Sequence, residues 1–300
     1  MATFTPQQDV FEPLSQYDEQ YTAPGDEVGR GASGVVRRAT RRSDGLPVAV
    51  KTMDLRALRL AGGGGFSIAR LRREVDVLRS LRHPAIVRLY GAYGDQDTVL
   101  LVMELVEGRE LFDAILSRGK FDEPSARNIF SKLCQAVAYM HARNIIHRDV
   151  KPENVLVTGT NEDEVKLVDF GIAKALTQES HASQTRTGRP MGTPAYMSPE
   201  QILAGEIDHR TDIYSMGITL FEMLTGMPPF QGDTEFEVCK KHLEENLPSL
   251  RKLNASLPVN IETILKKATA KDPKKRYHSA DEFLAALTEA FPECAVKASH

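Results

Sequence analysis

Short apolar runs separated by turn residues dominate the first hundred residues of the chain. Between about residues 17 and 42 these runs alternate with glycines, and LPVAVKTM follows at 46–53. Two more runs, IVRLYGAYG and TVLLVMELV, follow at 86–94 and 98–106. Because apolar runs of this length bounded by turn residues are typical of β-strands, we expect a small antiparallel sheet here.

One segment of this region has helical spacing instead. Its apolar residues recur every three or four positions, which predicts a helix with one buried face. The helix is expected to stop at the His83-Pro84 step. The four glycines at 62–65 that precede it are expected to be irregular. The apolar residues of this helix are Ile68, Leu71, Val75, Leu78 and Leu81.

Beyond Gly108 the pattern becomes mainly helical, with long apolar segments at 129–143 and 211–224 and no internal repeat. The predicted fold class is therefore α+β, with a small β lobe containing one main helix and a larger helical lobe. Residues 1–20 show no sustained periodicity, and we expect them to form a mobile leader or a remnant of the linker of a longer protein.

Composition excludes several classes of protein. Of 300 residues, 41% are hydrophobic and 26% charged, and the net charge of -3 gives no basic surplus for nucleic acid or a polybasic membrane anchor. No run of ~18 apolar residues indicates a membrane segment, and the start lacks the features of a secretory signal. The cysteines Cys134, Cys239 and Cys294 are widely spaced, which favours neither disulfides nor zinc. We expect an intracellular, cytoplasmic protein, without excluding the nucleus.

The string VGRGASGVV at 28–36 carries the glycine spacing of a phosphate-binding loop in Gly29, Gly31 and Gly34. This spacing alone is a weak signal, because dinucleotide-binding folds and ordinary hairpins also use it. It lies here between two predicted strands, whereas the dinucleotide fingerprint needs a strand followed by a helix. The context favours a hairpin that covers phosphates, with Val36 placed to pack on adenine.

Lys51 ends the apolar string VAVK, and Glu74 lies on the buried edge of the predicted helix between Leu71 and Leu78. A lysine at a strand end is usually a solvated charge. A carboxylate beside a buried face, however, needs a cationic partner. We therefore predict that Glu74 pairs with Lys51 and holds its ammonium group against the α and β phosphates of a nucleotide.

The most specific string is HRDVKPEN at 147–154. Asp149 can accept the proton of a substrate hydroxyl or orient it, and Lys151 can neutralise charge on a γ phosphate. Asn154 and the Asp169 of the later DFG string supply hard oxygen donors for Mg²⁺. Together these residues are the parts that phosphoryl transfer requires.

From about residue 21 to 291 the chain resembles the eukaryotic-type serine/threonine protein kinases. The order of the glycine-rich loop, VAVK, the helix glutamate, HRDVKPEN, DFG, GTPAYMSPE and KDPKKR carries the resemblance. The first half is similar to calcium/calmodulin-dependent and checkpoint-type kinases, and the region around SPE to bacterial members. The resemblance implies a bilobal kinase fold with an N-lobe at 21–103, a hinge at 104–108, a C-lobe at 109–291 and a tail at 292–300.

It also implies ATP as the phosphoryl donor, Mg²⁺ as the metal with Mn²⁺ as an alternative, and protein substrates. Glu200 and Arg276 match a structural ion pair, and Asp212 matches a carboxylate that holds the HRD loop. Ser198 departs from the usual alanine before Pro-Glu, without consequence for catalysis. The remaining residues implied in nucleotide binding are Val28, Ala49, Met103 at the back of the pocket, Glu104 to Val106 in the hinge, Glu110 and Leu156.

The resemblance is compatible with two alternative functions. The first is an active kinase, with serine and threonine favoured over tyrosine because Lys151 and Thr193 match that pattern. The alternative is a pseudokinase or scaffold, which loss of Lys51, Asp149 or Asp169 would favour; all three are present. The oligomeric state, subfamily and physiological substrate are not predicted.

The resemblance carries two finer predictions. Thr187, with Thr185 as its companion, is expected to be phosphorylated in the activation loop and to be bound by basic residues of the family pattern. Glu110, Glu153 and Glu222 match positions that face the substrate, and they predict a preference for arginine before the acceptor residue. Glu153 is common in KPEN motifs, Glu110 can serve the ATP ribose instead, and Glu222 can be a solvated helix residue. The basic residues are Arg70, Arg148 and Lys174.

Overall fold

The computed structural model describes residues 11–31, 34–62, 67–159, 163–169 and 194–290. These residues form two compact units. The first contains the described residues of 11–83 together with 87–107, and the second contains 84–86 and the described residues from 108 onward. The first unit is built around a β-sheet and the second is mainly helical, so the predicted α+β class is confirmed.

The sheet of the first unit has five antiparallel strands in the order β1-β2-β3-β5-β4. Gly34, which begins β2, has a φ of 145°, and a Cβ there would lie 2.1 Å from the carbonyl oxygen of Thr52. Only glycine therefore allows β2 to approach β3 at this point. The strands are β1 Glu27–Gly31, β2 Gly34–Thr40, β3 Pro47–Asp54, β4 Leu89–Gly94 and β5 Thr98–Glu104.

Three helices belong to this unit: α1 Leu14–Gln20, α2 Leu55–Gly62 and α3 Ile68–Ser80. The predicted amphipathic helix is confirmed in α3, where Leu71, Val75 and Leu78 are all buried. It ends before the His83-Pro84 step, as expected. Helix α2 was not predicted, and it extends into the first residue of the glycine run.

The prediction of a mobile leader is wrong for residues 14–20. Residues 14–20 form α1, and Tyr17 and Tyr21 are buried in a cluster with Tyr93 and strand residues of the sheet. Aromatic rings can supply the buried area that fixes so short a helix. The local sequence did not indicate this, because the rings pack against β4, more than 70 residues further along the chain.

The second unit has a three-stranded antiparallel sheet and eight helices among its described residues. Helix α5 begins six residues before the predicted segment, because the Asp122 side chain accepts a hydrogen bond from the Ser125 N–H at 2.9 Å and caps the helix. The other long helix, α7, matches its prediction. The elements are β6 Arg109–Glu110, β7 Val155–Thr158, β8 Glu164–Leu167, α4 Leu111–Arg118, α5 Glu123–His141, α6 Pro199–Ile202, α7 Arg210–Thr225, α8 Glu235–Glu244, α9 Leu250–Leu253, α10 Val259–Ala268 and α11 Ala280–Ala290.

Among the described residues, no helix is long and apolar enough to cross a membrane. Cys134 and Cys239 are both buried free thiols, and Cys294 lies outside the described residues.

Candidate active site

Four of the predicted nucleotide-binding residues lie on one face of the first unit's sheet. Val36 is opposite Lys51, and Ala49 is opposite Met103. Opposed residues and alternate residues of a strand point to the same side of a sheet. The Lys51 side chain is buried, at 6% exposure. The other predicted nucleotide-binding residues of this unit are Val28, Gly29 and Gly31 in β1, Gly34 in β2, Glu104 at the end of β5 and Val106 just after it.

Glu74 lies half-buried on α3, in the same unit as Lys51. The ion pairs of α3 among the described residues join Arg72 with Asp76 and Arg79 with Glu12. The pairing of Glu74 with Lys51 therefore stays a prediction.

In the second unit, the residues of the HRDVKPEN string that we predicted to be catalytic lie together. The Asn154 amide donates to the backbone carbonyl of Asp149 at 2.8 Å and to its carboxylate at 3.0 Å. The Lys151 ammonium lies 3.9 Å from the same carboxylate. Since both hydrogen bonds that the Asn154 side chain makes with described residues use its nitrogen, these contacts leave its oxygen available as an acceptor for a cation.

Asp212 holds this loop from below, as predicted. Its fully buried carboxylate accepts the backbone N–H groups of His147 at 2.9 Å and Arg148 at 2.8 Å. His141 adds a third contact at 2.8 Å. Burial by itself would raise the pKa of Asp212, but the hydrogen bond and charge of His141 and the backbone donors outweigh it and lower that pKa.

Two residues of the site have left-handed backbone conformations. Arg148 has a φ of 65° and Asp169 a φ of 51°. The Gln201 side chain donates to the Arg148 carbonyl at 2.8 Å and helps to hold its conformation. Asp169 follows β8 by two residues. Strained conformations of non-glycine residues are concentrated at functional sites, where the surrounding structure maintains them.

The oxygen donors fit a magnesium ion. The described residues contain no cluster of three or more His, Cys, Asp or Glu side chains that could hold a metal. Magnesium, however, is usually bound by one or two protein oxygens together with phosphate oxygens and water. Asn154 and Asp169 supply that number.

Glu110, Glu153 and Glu222 also come together in the second unit. Burial raises the pKa of Glu222 to about 7, and the charge of Glu153 adds to the shift. The pKa of Glu110 is raised as well, first by burial and then by Asp113 and Glu153. One carboxylate oxygen of Glu153 is buried without a hydrogen-bond partner among the described residues. The charge of Glu153 thus disfavours ionisation of both Glu110 and Glu222.

Glu222 is not the solvated helix residue that the sequence allowed. It is 3% exposed, and its carboxylate accepts a hydrogen bond from the Tyr196 hydroxyl at 2.7 Å. Near this group, Glu110 lies opposite Leu156 in the pairing of β6 with β7.

The predicted structural ion pair is confirmed. Arg276 binds Glu200 through two hydrogen bonds of 2.7 and 2.8 Å, and both side chains are buried. The serine at position 198, where the family usually has alanine, has a structural role. Its hydroxyl accepts the Gln201 N–H, while the Gln201 side chain accepts the Ser198 N–H, which forms a capping box at the start of α6.

Three contributing residues were missed by the sequence analysis: Tyr196, His141 and Gln201. A signal existed for Tyr196, because Glu222 lies in the continuous apolar run of α7 and a carboxylate there needs a donor. His141 gave no such signal, because Asp212 is distant in the sequence. Gln201 has the S-x-x-Q spacing of a capping box with Ser198, but its contact with the distant Arg148 gave no signal.

Several predicted residues lie outside the described residues: Phe170 and Gly171 of the DFG string, Lys174, Thr185, Thr187 and Thr193. The side chain of Arg70 is likewise not described.

Comparison with known proteins agrees with this arrangement. A family profile described as "Protein kinase domain" matches residues 23–287. The serine/threonine-protein kinase PrkC of Bacillus subtilis is 41% identical over 224 residues, which cover 75% of this chain and 34% of PrkC. The serine/threonine-protein kinase PknB of Mycobacterium tuberculosis is 40% identical over 225 residues, covering 73% of this chain and 35% of PknB. The chain thus spans about a third of the length of these relatives.

A probable myosin light chain kinase of Dictyostelium discoideum is 33% identical over 267 residues, covering 89% of this chain and 73% of the relative. Among solved structures, Rad53 1-466 in complex with AMP-PNP matches with a TM-score of 0.72 and 30% identity. That match covers 89% of this chain and 65% of the Rad53 chain.

Proposed function

Because the chain belongs to the protein kinase domain family and is a eukaryotic-type serine/threonine kinase, we propose that Asp149, Lys151, Asn154 and Asp169 carry its phosphoryl transfer. The γ-phosphoryl group of ATP passes to serine or threonine hydroxyls of proteins. The observation that carries this proposal is that Asp149 is hydrogen-bonded to Asn154 and ion-paired with Lys151, in a loop held by Asp212.

Each residue has a defined part in the proposal. The Asp149 carboxylate accepts the hydroxyl proton or orients the hydroxyl for in-line attack, and Lys151 neutralises charge on the γ phosphate. Asn154 and Asp169 hold Mg²⁺, which when bound neutralises charge on the phosphate oxygens. Lys51, kept in place by Glu74, binds the α and β phosphates.

The test is the rate of peptide phosphorylation with ATP and Mg²⁺. Lys51→Met, Asp149→Asn and Asp169→Ala are each expected to lower the rate by ~10³-fold or more, the scale of such electrostatic groups. Unfolding temperatures should stay close to that of the unmodified protein. Asp44→Asn, in the exposed turn between β2 and β3, removes a carboxylate that is ion-paired with Arg41 and is the control.

Two outcomes would contradict this assignment. Near-normal turnover of Asp169→Ala would exclude it as a metal ligand. Absence of turnover by the unmodified protein would instead favour the pseudokinase, the alternative that keeps the fold without catalysis.

We also propose that the substrate carries arginine two or three residues before the acceptor. The support is that the charge of Glu153 disfavours ionisation of Glu110 and Glu222, while one Glu153 oxygen is buried without a hydrogen-bond partner among the described residues. A cation bound at this group would favour the ionised carboxylates. Arginine is expected over lysine, because its planar guanidinium group can bind carboxylates through two hydrogen bonds.

A positional-scanning peptide library tests this preference. Selection for arginine at those positions, weakened by Glu110→Ala and Glu153→Gln, is the expected result. Glu244→Ala, an exposed carboxylate on α8, should leave the profile unchanged. A flat profile, or a preference for acidic residues, would remove the proposal while leaving the catalytic assignment intact.

We propose in addition that phosphorylation of Thr187, with Thr185, activates the protein. Support comes from Arg148, whose Nε is buried without a hydrogen-bond partner among the described residues. A guanidinium group of this kind can bind a phosphate.

We propose separately that the protein is located in the cytoplasm, since Cys134 and Cys239 are free thiols.

A further inference from the structure

The segment 11–21 lies outside the region that matches the kinase family, yet it is packed on the sheet of the first unit. Aromatic rings hold the C-terminal part of this segment against the sheet. The ring centroid of Tyr17 lies 5.3 Å from that of Tyr21 and 5.7 Å from that of Tyr93, and all three residues are buried. The Tyr93 hydroxyl also donates to the Gln20 side chain at 3.0 Å. The segment is therefore attached firmly to β4.

At the N-terminal end of the segment, Glu12 extends the sheet by one residue. The Glu12 N–H donates to the carbonyl of Ala92 at 3.3 Å, and the Gly94 N–H donates to the carbonyl of Glu12 at 2.9 Å. Strand β4 is an outer strand of the sheet, so Glu12 covers part of its open edge. The backbone of Glu12 is thus fixed relative to the sheet.

The Glu12 side chain connects this edge to α3. Its carboxylate lies 3.1 Å from the Arg79 guanidinium, with side-chain exposures of 34% and 41%. Residues 11–13 and the face of α3 that carries Arg72, Val75 and Asp76 also line a groove of about 280 Å³. The Glu12–Arg79 ion pair joins the two walls of this groove and so links the segment to α3.

We propose that Glu12 and Arg79 are positioning residues for catalysis. Helix α3 carries Glu74, and Lys51 lies on β3 of the same sheet. A link from the sheet edge to α3 therefore limits how far Glu74 can move from Lys51. The inference rests on the proposed role of Glu74, and it adds a segment outside the family's domain to the groups that set the rate.

The kinetic test compares Glu12→Gln and Arg79→Gln with Glu19→Gln, an exposed carboxylate on α1 that removes the same charge from the same segment. The first two variants are expected to lower kcat roughly two- to fivefold, the range of a partly exposed ion pair, without changing KM for the peptide. The charge-reversed double variant Glu12→Arg/Arg79→Glu should recover most of the loss. Equal kcat values for Glu12→Gln and Glu19→Gln, or no recovery in the double variant, would overturn the proposal.

Hydrogen exchange provides a test that does not depend on activity. The backbone amides of α3 should exchange faster in Glu12→Gln than in Glu19→Gln, because the helix loses a link to the sheet. Equal exchange would show that the ion pair does not hold α3 and would overturn the proposal. Faster exchange with unchanged kcat would also overturn it, since the link would then be structural only. Because this measurement needs no turnover, its failure is distinguishable from failure of the catalytic assignment.

Discussion

Glu222 has a carboxyl group inside a helix whose neighbours are almost all apolar. Burial raises its pKa to about 7, although the Tyr196 hydroxyl favours the ionised form. A raised pKa means that the folded protein holds a proton which the unfolded chain releases between about pH 4.5 and 7. The contribution of Glu222 to the free energy of unfolding therefore falls as the pH rises through this window. Above about pH 7 the destabilisation by the buried charge is complete.

Glu222→Gln is expected to stabilise the protein at pH 8 by on the order of 3 kcal/mol, and by much less at pH 5. The glutamine oxygen can still accept the Tyr196 hydroxyl, while the buried charge is gone. Urea unfolding at the two pH values measures the difference. Glu289→Gln, an exposed carboxylate on α11, is the control. The same stabilisation at both pH values would contradict the charge as its cause.

The same substitution should weaken binding of an arginine-containing peptide, and KM should rise. A gain in stability together with a loss of binding would identify Glu222 as a residue kept for function at the expense of stability.

At the level of elements, the Glu200–Arg276 pair joins the start of α6 to the chain just before α11. Arg276 also donates to the carbonyls of Ala270, Arg210 and Lys271. One guanidinium group therefore binds the first residue of α7 and the segment that follows α10, in addition to Glu200. Burial by itself would raise the pKa of Glu200, but the bound guanidinium group outweighs it and lowers that pKa. Breaking the pair would leave a buried charge without its partner.

Arg276→Leu is therefore expected to lower the free energy of unfolding by ~3–5 kcal/mol at pH 8. The loss should be smaller at pH 5, because Glu200 without Arg276 has a raised pKa and takes up a proton. Chemical unfolding measures both values, with the exposed Lys275→Ala as control. The double variant Glu200→Leu/Arg276→Leu, which buries no charge, should recover much of the loss. A loss below 1 kcal/mol in the single variant would contradict this account.

At the level of the whole molecule, activity is proposed to depend on phosphorylation of the segment before GTPAYMSPE. After incubation with ATP and Mg²⁺, mass spectrometry should find phosphate on Thr187 and Thr185. Thr187→Ala should lower the rate of peptide phosphorylation, because Arg148 then lacks the phosphate that it is proposed to bind. Asp149→Asn treated in the same way should carry no phosphate if the protein modifies itself. Full activity of Thr187→Ala would contradict the switch.

Much of the molecule could be predicted from local sequence. The sheet of the first unit, helix α3 and helix α7 follow from the spacing of apolar residues, because each element buries a face or a whole surface that the pattern records. The residues of HRDVKPEN could be assigned roles from the chemistry of their side chains together with the resemblance to the kinase family. The family resemblance added Asp212 and the Glu200–Arg276 pair, which no local pattern indicates.

Tertiary structure decided what depends on contacts between distant parts of the chain. The segment 14–20 looked unstructured, because the ring of Tyr93 that fixes it lies far along the sequence. Glu222 could have been solvated or buried, and only packing shows that it is buried and bound by Tyr196. A residue's type is written in the sequence, but its pKa and its partner depend on what surrounds it after folding.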